Sequence, residues 1–420
     1  MTGGTDMTLN ELGAAAKAAS RVLSIAGTAQ KDKALEAIAA KLTEGKAQWL
    51  AANEEDLAAA REAGMRPSLL DRLTLTEKRI EGITDGVLQV AALPDPIGSV
   101  DRMETRPNGL IIGRRRVPLG VIAIIFEARP NVAVDAAALC LKSGNACILR
   151  GGKEAIRSNI AAIRLMREAL KEAGLPEDCV SLVEDTSRES AKGLMHLNQY
   201  VDVLIPRGGA QLIRTVAQEA IVPVIRTGEG VCHVYIDKDA DLDMGAKILY
   251  NAKCSRPSVC NAAECVLIHR DVASEFLSKA VPLLDADKVE LRCDEEALSL
   301  LGSRGVPAKE EDWDAEYGDY ILAVKLVDGI DEAMAFIEAH GTGHSEAIVT
   351  KDYFAAQRFL NEVDAAAVYV NASTRFTDGG EFGLGAEIGI STQKMHARGP
   401  MGLTELTSWK YVVYGEGQIR

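Results

Sequence analysis

The chain has 420 residues, 47% of them apolar and 26% charged, which are ordinary proportions for a globular protein of two or three domains. Acidic residues outnumber basic ones by 61 to 47, and the net charge of −14 argues against a nucleic-acid partner. No apolar run approaches the about 18 residues of a membrane span, so no membrane association is expected. The eight cysteines form no CxxC pair, which favours reduced thiols and a cytoplasmic location.

Helices are predicted through the first hundred residues, where apolar side chains recur at helical spacing and alanine is abundant. An arginine-rich stretch then leads into the unbroken apolar run Val121–Phe126, which is typical of a strand buried on both faces. Strand and helix alternate from there, and this alternation predicts a parallel sheet covered by helices. The predicted helices lie at 134–142 and 154–173, and the further strands at 146–149, 180–183, 201–205 and 222–225.

The alternation resumes after Gly230 with a second set of elements, which predicts a second α/β domain at about 230–365. The tail at 409–414 alternates apolar and polar residues like an exposed strand, so we expect edge pairing there, with another subunit as one candidate partner. The predicted elements of this second part are a helix at 242–250 and strands at 233–236, 265–268, 321–326, 347–350 and 366–371.

Cys260 is the candidate nucleophile. The segment 251–261 leaves a helix, turns, and is expected to enter another helix at Asn261. Backbone N–H groups at a helix start lower the pKa of a thiol and stabilise an oxyanion, and Lys253 and Arg256 add positive charge nearby. Six other cysteines occupy apolar contexts that favour core positions, namely Cys140, Cys147, Cys179, Cys232, Cys265 and Cys293.

Two predicted strand-to-helix loops carry paired glycines. In the first, Gly151 and Gly152 are flanked by Arg150 and Lys153, and a similar loop contains Gly208-Gly209. Glycines allow close backbone approach and helix starts attract anions, so these loops predict a phosphate site. An ordinary loop with solvated charges explains either one alone, whereas two such loops at one sheet edge favour phosphate.

Arg129 and Asn131 directly follow the first buried strand. Either side chain could bind an anion or donate to a carbonyl oxygen, although a plain turn also explains them. No GxGxxG fingerprint, P-loop or zinc-ligand spacing occurs, and glycines separate His340 from His344, so no metal site is expected.

Long motifs in this sequence resemble those of the gamma-glutamyl phosphate reductases, a branch of the aldehyde dehydrogenase superfamily. The resemblance spans nearly the whole chain. The segments that carry it are 69–75, 118–122, 126–131, 256–261, 340–348 and 371–394.

The resemblance implies a two-domain α/β fold with a small β element for oligomerisation. It assigns 1–105 and 117–229, with a return segment at about 366–394, to an NADPH-binding domain. It assigns 230–365 to the catalytic domain, and 106–116 and 395–420 to an oligomerisation hairpin and tail. A homo-oligomer, dimer or tetramer, is therefore expected.

The resemblance also implies an activity. NADPH would reduce L-glutamyl 5-phosphate to L-glutamate 5-semialdehyde and phosphate through a thioester on Cys260, the second step of proline biosynthesis. The oxyanion would be held by the Cys260 amide together with Arg129 or Asn131, and Arg129 could instead hold the leaving phosphate. A glutamate 5-kinase is a candidate partner.

Two departures from the oxidising dehydrogenases support a reductase. Those enzymes carry a water-activating Glu where this chain has Thr227, and Glu229 is displaced from that position by two residues. Lys153, with Arg150, stands where NAD-preferring relatives often have Glu, so NADPH is favoured. The alternatives are an NAD-dependent dehydrogenase that forms an acid, a related acyl-phosphate reductase, a thiol acyltransferase or hydrolase, and a non-catalytic nucleotide-binding module.

Overall fold

From residue 7 onward, five helices precede the first strand, as the alanine-rich sequence predicts. The structure is a computed structural model that describes residues 7–127 and 129–420. The elements up to residue 219 are helices α1 Leu9–Leu23, α2 Thr28–Glu44, α3 Lys46–Glu62, α4 Pro67–Leu73 and α5 Glu77–Ala92, strands β1 Val100–Thr105, β2 Ile111–Pro118 and β3 Val121–Phe126, α6 Pro130–Lys142, β4 Ala146–Arg150, α7 Ile156–Glu172, β5 Val180–Leu182, α8 Arg188–Met195, β6 Val203–Arg207 and α9 Ala210–Glu219.

The remaining elements alternate in the same way until residue 370. They are β7 Cys232–Ile236, α10 Leu242–Cys254, β8 Ala263–His269, α11 Ala273–Ala286, β9 Glu290–Cys293, α12 Glu295–Leu301, β10 Gly305–Pro307, β11 Ile321–Val327, α13 Ile330–His340, β12 Ser345–Val349, α14 Tyr353–Glu362, β13 Ala367–Val370, the short pair β14 Ile390–Ser391 and β15 Gly399–Pro400, and β16 Thr407–Tyr414. No helix in the described ranges is long and apolar enough to cross a membrane.

The chain divides into two compact units. Unit 1 contains the described residues up to Arg226, with Gly383–Gly389 and Met401–Arg420. Its parallel sheet has the order β5-β4-β3-β6, and every residue of β3 is buried, because its unbroken apolar run fills a central position. The strand predicted at 222–225 was wrong: only the bridge between Leu204 and Val224 forms. Pro223 lacks the N–H that a regular ladder needs at that point.

The tail strand β16 pairs antiparallel with β2 of the same chain, in a three-stranded sheet of order β1-β2-β16. The guanidinium groups of Arg114 and Arg116 lie over the ring of Trp409, 4.5 and 4.1 Å from its centre. These cation–π contacts fasten the tail to the hairpin.

Unit 2 contains Thr227–Phe382 and Ile390–Pro400, whereas the predicted catalytic domain spans 230–365. Its seven-stranded sheet has the order β10-β9-β11-β8-β7-β12-β13 and is parallel throughout. Apolar side chains of the sheet and of α10 and α11 form a core on one face. The two-unit α/β fold with small antiparallel elements confirms the predicted fold class.

Candidate active site

Cys260 lies in a turn rather than beside a helix start. The chain leaves α10 at Cys254, turns, and enters β8 at Ala263, so the helix expected at Asn261 does not form. The strand predicted at 265–268 forms as β8 and begins at Ala263, where it is buried throughout and pairs with both β7 and β11, so the chain enters it directly from the turn. The part of the sequence argument that placed Cys260 at a helix start was therefore wrong.

The two cations expected beside the thiol have different surroundings. Lys253 is buried, and its Nζ lies 2.5 Å from Oε2 of Glu264, so its charge is neutralised within the fold. Burial raises the pKa of Glu264 to about 7 even though Lys253 opposes the shift. Arg256 is exposed and makes no ion pair with any residue in the described ranges. Of the two, Arg256 is the cation whose charge can act on a ligand.

Cys260 is the only one of the eight cysteines that is not buried, and none of the eight forms a disulfide. The six cysteines assigned to the core are buried as predicted. Burial raises the pKa of Cys254 to about 12, and it also raises the pKa of Cys265. The two alternative nucleophiles nearest in sequence are therefore held as inert thiols.

The carbonyl of Cys260 is held from the β7 side of unit 2. Cys232 Sγ donates to the Cys260 carbonyl oxygen at 3.3 Å. A Cβ added at Gly230 would lie 1.4 Å from the same oxygen, so only glycine fits there. The segment that enters β7 thus fixes the backbone of the nucleophile.

Arg375 holds the Cys260 turn from another segment and was not identified from the sequence. Its Nε donates to Ser255 Oγ at 3.0 Å and its Nη1 donates to Asn261 Oδ1, so one guanidinium ties the two ends of the turn. Asn261 Nδ2 donates in turn to the Thr377 carbonyl at 2.9 Å. In the sequence, Arg375 was noted only within the segment 371–394 that carries the family resemblance, because contacts over more than a hundred residues leave no local pattern.

The loop before β7 contains the two residues compared with the water-activating Glu of oxidising dehydrogenases. Thr227 is 4% exposed, and Glu229 is half-buried. A threonine hydroxyl does not serve as a general base near neutral pH, so Thr227 cannot supply that function.

In unit 1, Arg129 and Asn131 flank the start of α6. Arg129 is exposed in extended backbone at the residue before the helix. Asn131 Nδ2 donates to Asp135 Oδ2, one helical turn later, at 3.0 Å. Burial raises the pKa of Asp135 to about 6, and the hydrogen bond from Asn131 works against that rise. Asp135 therefore orients the Asn131 amide.

The loop after β4 packs closely around Gly151. A Cβ at Gly151 would lie 2.3 Å from Asn159 Nδ2, so this position has no room for a side chain. Asn159 is fully buried, and neither of its polar side-chain atoms has a partner within the part of the chain that the structure describes. Gly152 precedes a short turn of helix in which Lys153 is exposed. This arrangement leaves backbone and a cation to face a ligand.

Arg150 supports the loop after β5. Its Nη2 donates to the carbonyls of Thr186 and Ser187, at 2.7 and 2.9 Å. Burial lowers the pKa of Arg150, which stays a cation at neutral pH. At least part of this guanidinium therefore fixes backbone rather than a phosphate.

The carboxylate of Glu127, which follows β3, lies against the second paired-glycine loop. Gly209 N–H donates to Glu127 Oε2 at 3.0 Å, at the start of α9, and Gly208 packs against the same side chain. A carboxylate there would repel a phosphate at the same amides. Gly208 and Gly209 remain predicted cofactor contacts, and Glu127 would compete with a cofactor phosphate for their N–H groups.

Residues 2–298 match the model of the aldehyde dehydrogenase family, which is more than half of the chain. The protein therefore belongs to the aldehyde dehydrogenase family. Proteins under 25% identical share the same fold, among them a propionaldehyde dehydrogenase from Rhodopseudomonas palustris at 16% identity and a TM-score of 0.70, covering 98% of both chains.

Within that family the chain belongs to the gamma-glutamyl phosphate reductases. It is 58% identical to the gamma-glutamyl phosphate reductase of Halothermothrix orenii over 96% of this chain and 97% of the relative. It is also 58% identical to that of Carboxydothermus hydrogenoformans, over 96% and 97%. The crystal structure of the Thermotoga maritima gamma-glutamyl phosphate reductase matches with a TM-score of 0.95 at 48% identity, covering 98% of this chain and 99% of that one. The family expected from the sequence motifs is confirmed.

Proposed function

We propose that this chain reduces L-glutamyl 5-phosphate to L-glutamate 5-semialdehyde and phosphate, the second step of proline biosynthesis. One observation carries the chemistry: Cys260 alone among eight cysteines is not buried, and it lies in a turn that Cys232 and Arg375 hold by hydrogen bonds from two other segments. Membership of the gamma-glutamyl phosphate reductases supports the substrate class.

Cys260 supplies the nucleophile. Its sulfur attacks the acyl carbon of the substrate and forms a tetrahedral oxyanion, which pre-placed N–H donors stabilise. The oxyanion collapses, the bond from carbon to the phosphate oxygen breaks, and the phosphate leaves with the bonding electrons. The proton of the thiol ends on that phosphate, and a thioester remains on Cys260.

The proposed oxyanion donors are the Cys260 backbone N–H and a side chain, either Arg129 or Asn131. Asp135 accepts one N–H of the Asn131 amide, and an amide nitrogen carries two. A second N–H therefore remains to donate to an oxyanion. The fixed orientation of this amide favours Asn131 over Arg129.

Gly151, Gly152 and Lys153 would hold NADPH. They fit it because Gly151 has no room for a side chain and Lys153 presents an exposed cation that suits a 2′-phosphate. When bound, NADPH supplies the hydride that reduces the thioester to the aldehyde. Arg150 would act through the Thr186 and Ser187 carbonyls that it binds.

The reverse reaction tests this function without the need to supply the acyl phosphate. Semialdehyde, phosphate and NADP⁺ should give sustained NADPH absorbance, and omission of phosphate should stop turnover because nothing else releases the acyl group. Rapid, phosphate-independent oxidation with NAD⁺ would instead indicate a dehydrogenase that forms the free acid. Absence of any nicotinamide signal would favour a thiol acyltransferase, a hydrolase or a binding module.

A homo-oligomer and a kinase partner complete the proposal. The three-stranded sheet of unit 1 exposes large apolar side chains, which supports a subunit contact. These include Val100, Met103, Ile111, Tyr411, Val413 and Tyr414. Sedimentation equilibrium would distinguish monomer, dimer and tetramer.

The eight unpaired cysteines fit a reducing cytoplasm.

A further inference from the structure

Two arginines meet beside the nucleophile of unit 2 without a matching carboxylate. Arg375 is fixed between Ser255 and Asn261, and Arg256 is the residue that follows Ser255. Burial lowers the pKa of Arg375, and repulsion from Arg256 lowers it further. Attraction to Asp378 and to Cys260 raises the same pKa, but each of these effects is smaller than the repulsion from Arg256. The two positive charges therefore lie close to each other and to Cys260.

Neither arginine has an ion-pair partner within the described ranges, although the chain as a whole carries a net charge of −14. Nη2 of Arg375 likewise makes no hydrogen bond to any residue that the structure describes. Most other arginines of unit 2 face carboxylates, such as Arg358 with Asp331 and Glu362. Two adjacent like charges repel each other, and an anion bound between them would remove that cost.

We propose that Arg256 and Arg375 bind the phosphoryl group of the acyl-phosphate substrate and the phosphate that leaves it. The inference rests on the proposed function and names the residues that recognise its phosphate. A guanidinium matches a phosphate through parallel N–H donors, and two of them can contact different oxygens of one group. The site adjoins the sulfur that attacks the neighbouring acyl carbon.

The arginines would act most strongly as the phosphate departs. When the bond between carbon and oxygen breaks, its electron pair moves onto the phosphate oxygen, and positive charge at that point stabilises the leaving group. In the reverse direction the same charges hold inorganic phosphate while one of its oxygens attacks the thioester and the Cys260 sulfur leaves. Arg256 and Arg375 therefore belong to the phosphate step and not to hydride transfer.

The reverse reaction separates these two steps. Without phosphate, semialdehyde and NADP⁺ should form the Cys260 thioester and release one NADPH for each active site, as a burst. Continued turnover then requires phosphate. Arg256→Gln should keep the burst and the KM for NADP⁺ within about twofold, and raise the KM for inorganic phosphate about tenfold or more, as expected for one lost charge-assisted contact.

Three further variants keep the experiment decisive. Arg375→Lys retains the charge and should impair phosphate use less than Arg375→Gln, which removes the charge as well as both hydrogen bonds to the turn. Arg358→Gln removes an exposed positive charge of the same unit that is paired with carboxylates, and should leave the KM for phosphate unchanged.

Three results would overturn the inference. A normal burst with an unchanged KM for phosphate in Arg256→Gln would refute it alone. A selective rise in that KM in Arg129→Gln, but not in Arg256→Gln, would transfer the phosphate to Arg129. Absence of both burst and phosphate-dependent turnover in the unsubstituted chain would overturn the proposed function, and this inference with it.

Discussion

The Cys260 turn and the Gly151-Gly152 loop are built in different ways. The loop consists of a strand end, two glycines and a helix start that are consecutive in sequence. The turn depends on partners far along the chain, because Cys232 binds its carbonyl and Arg375 ties its ends. The first can be recognised from a short motif, whereas the second exists only once unit 2 has folded.

The difference shows that a reactive residue and the residues that position it can lie far apart in the sequence. A phosphate loop uses backbone N–H groups that any correctly folded strand-to-helix connection provides. A nucleophile needs its sulfur at one place relative to an acyl carbon, and an error of about 1 Å can cost about 10²-fold in rate. Remote residues are therefore expected to matter more for the turn than for the loop.

The largest effect should follow from removing the nucleophile. Cys260→Ser should lower turnover by at least about 10³-fold, because loss of a nucleophile leaves only binding and oxyanion contributions. Binding of NADPH, measured by fluorescence titration, should be unchanged. Retained activity would transfer the role to Cys254 or Cys265, whose burial argues against it.

The next effect tests positioning from a distance. Gly230→Ala places a Cβ where the Cys260 carbonyl lies, so the turn must move, and kcat should fall about 10²-fold with NADPH affinity preserved. Gly329→Ala is the matched control, since no atom lies within 4 Å of the Cβ that it adds.

If a thermal unfolding experiment shows that Gly230→Ala is not folded, Cys232→Ala can be used in its place. It removes the hydrogen bond to the same carbonyl without adding atoms. Its kcat should fall several-fold, and Cys232→Ser, which restores an O–H donor, should recover part of the loss. Full activity in both Gly230→Ala and Cys232→Ala would show that the turn is not positioned from this side.

The last prediction concerns the Gly151-Gly152 loop and affects cofactor binding rather than turnover. Lys153→Glu should weaken NADPH binding more than NADH binding, by about 1.5–3 kcal/mol for a lost charge-assisted contact, or about 10- to 150-fold in the affinity ratio. Lys171→Glu, a like charge reversal at the other end of the adjoining helix, serves as control. An unchanged ratio of the two dissociation constants would contradict the assignment of Lys153.

Sequence patterns predicted the elements whose signals are local. The buried strand at Val121–Phe126 and the alternation of strands and helices follow from apolar runs and stop signals. The strand predicted at 265–268 forms within β8, but the helix expected at Asn261 does not, because the turn after Cys260 leads directly into that strand. Pro223 similarly reduced a predicted strand to one bridge.

The sequence predicted the nucleophile of the candidate site but not the residues that hold it in position. Cys260 stood out by its neighbours in sequence, although one reason given for it, the helix start, was wrong. Lys253 was expected to act on the thiol, but its pairing with Glu264 is visible only in the folded chain. Arg375 had no local signal, because its role follows from contacts that the fold creates.

The central claim is that Cys260 carries the acyl group between its two reaction partners. The most direct measurement incubates the protein with semialdehyde and NADP⁺ without phosphate, quenches with acid, and maps the modified peptide by mass spectrometry. The account predicts a glutamyl thioester on Cys260 that disappears when phosphate is added. An adduct on another cysteine, or NADPH formation with no adduct on Cys260, would contradict it.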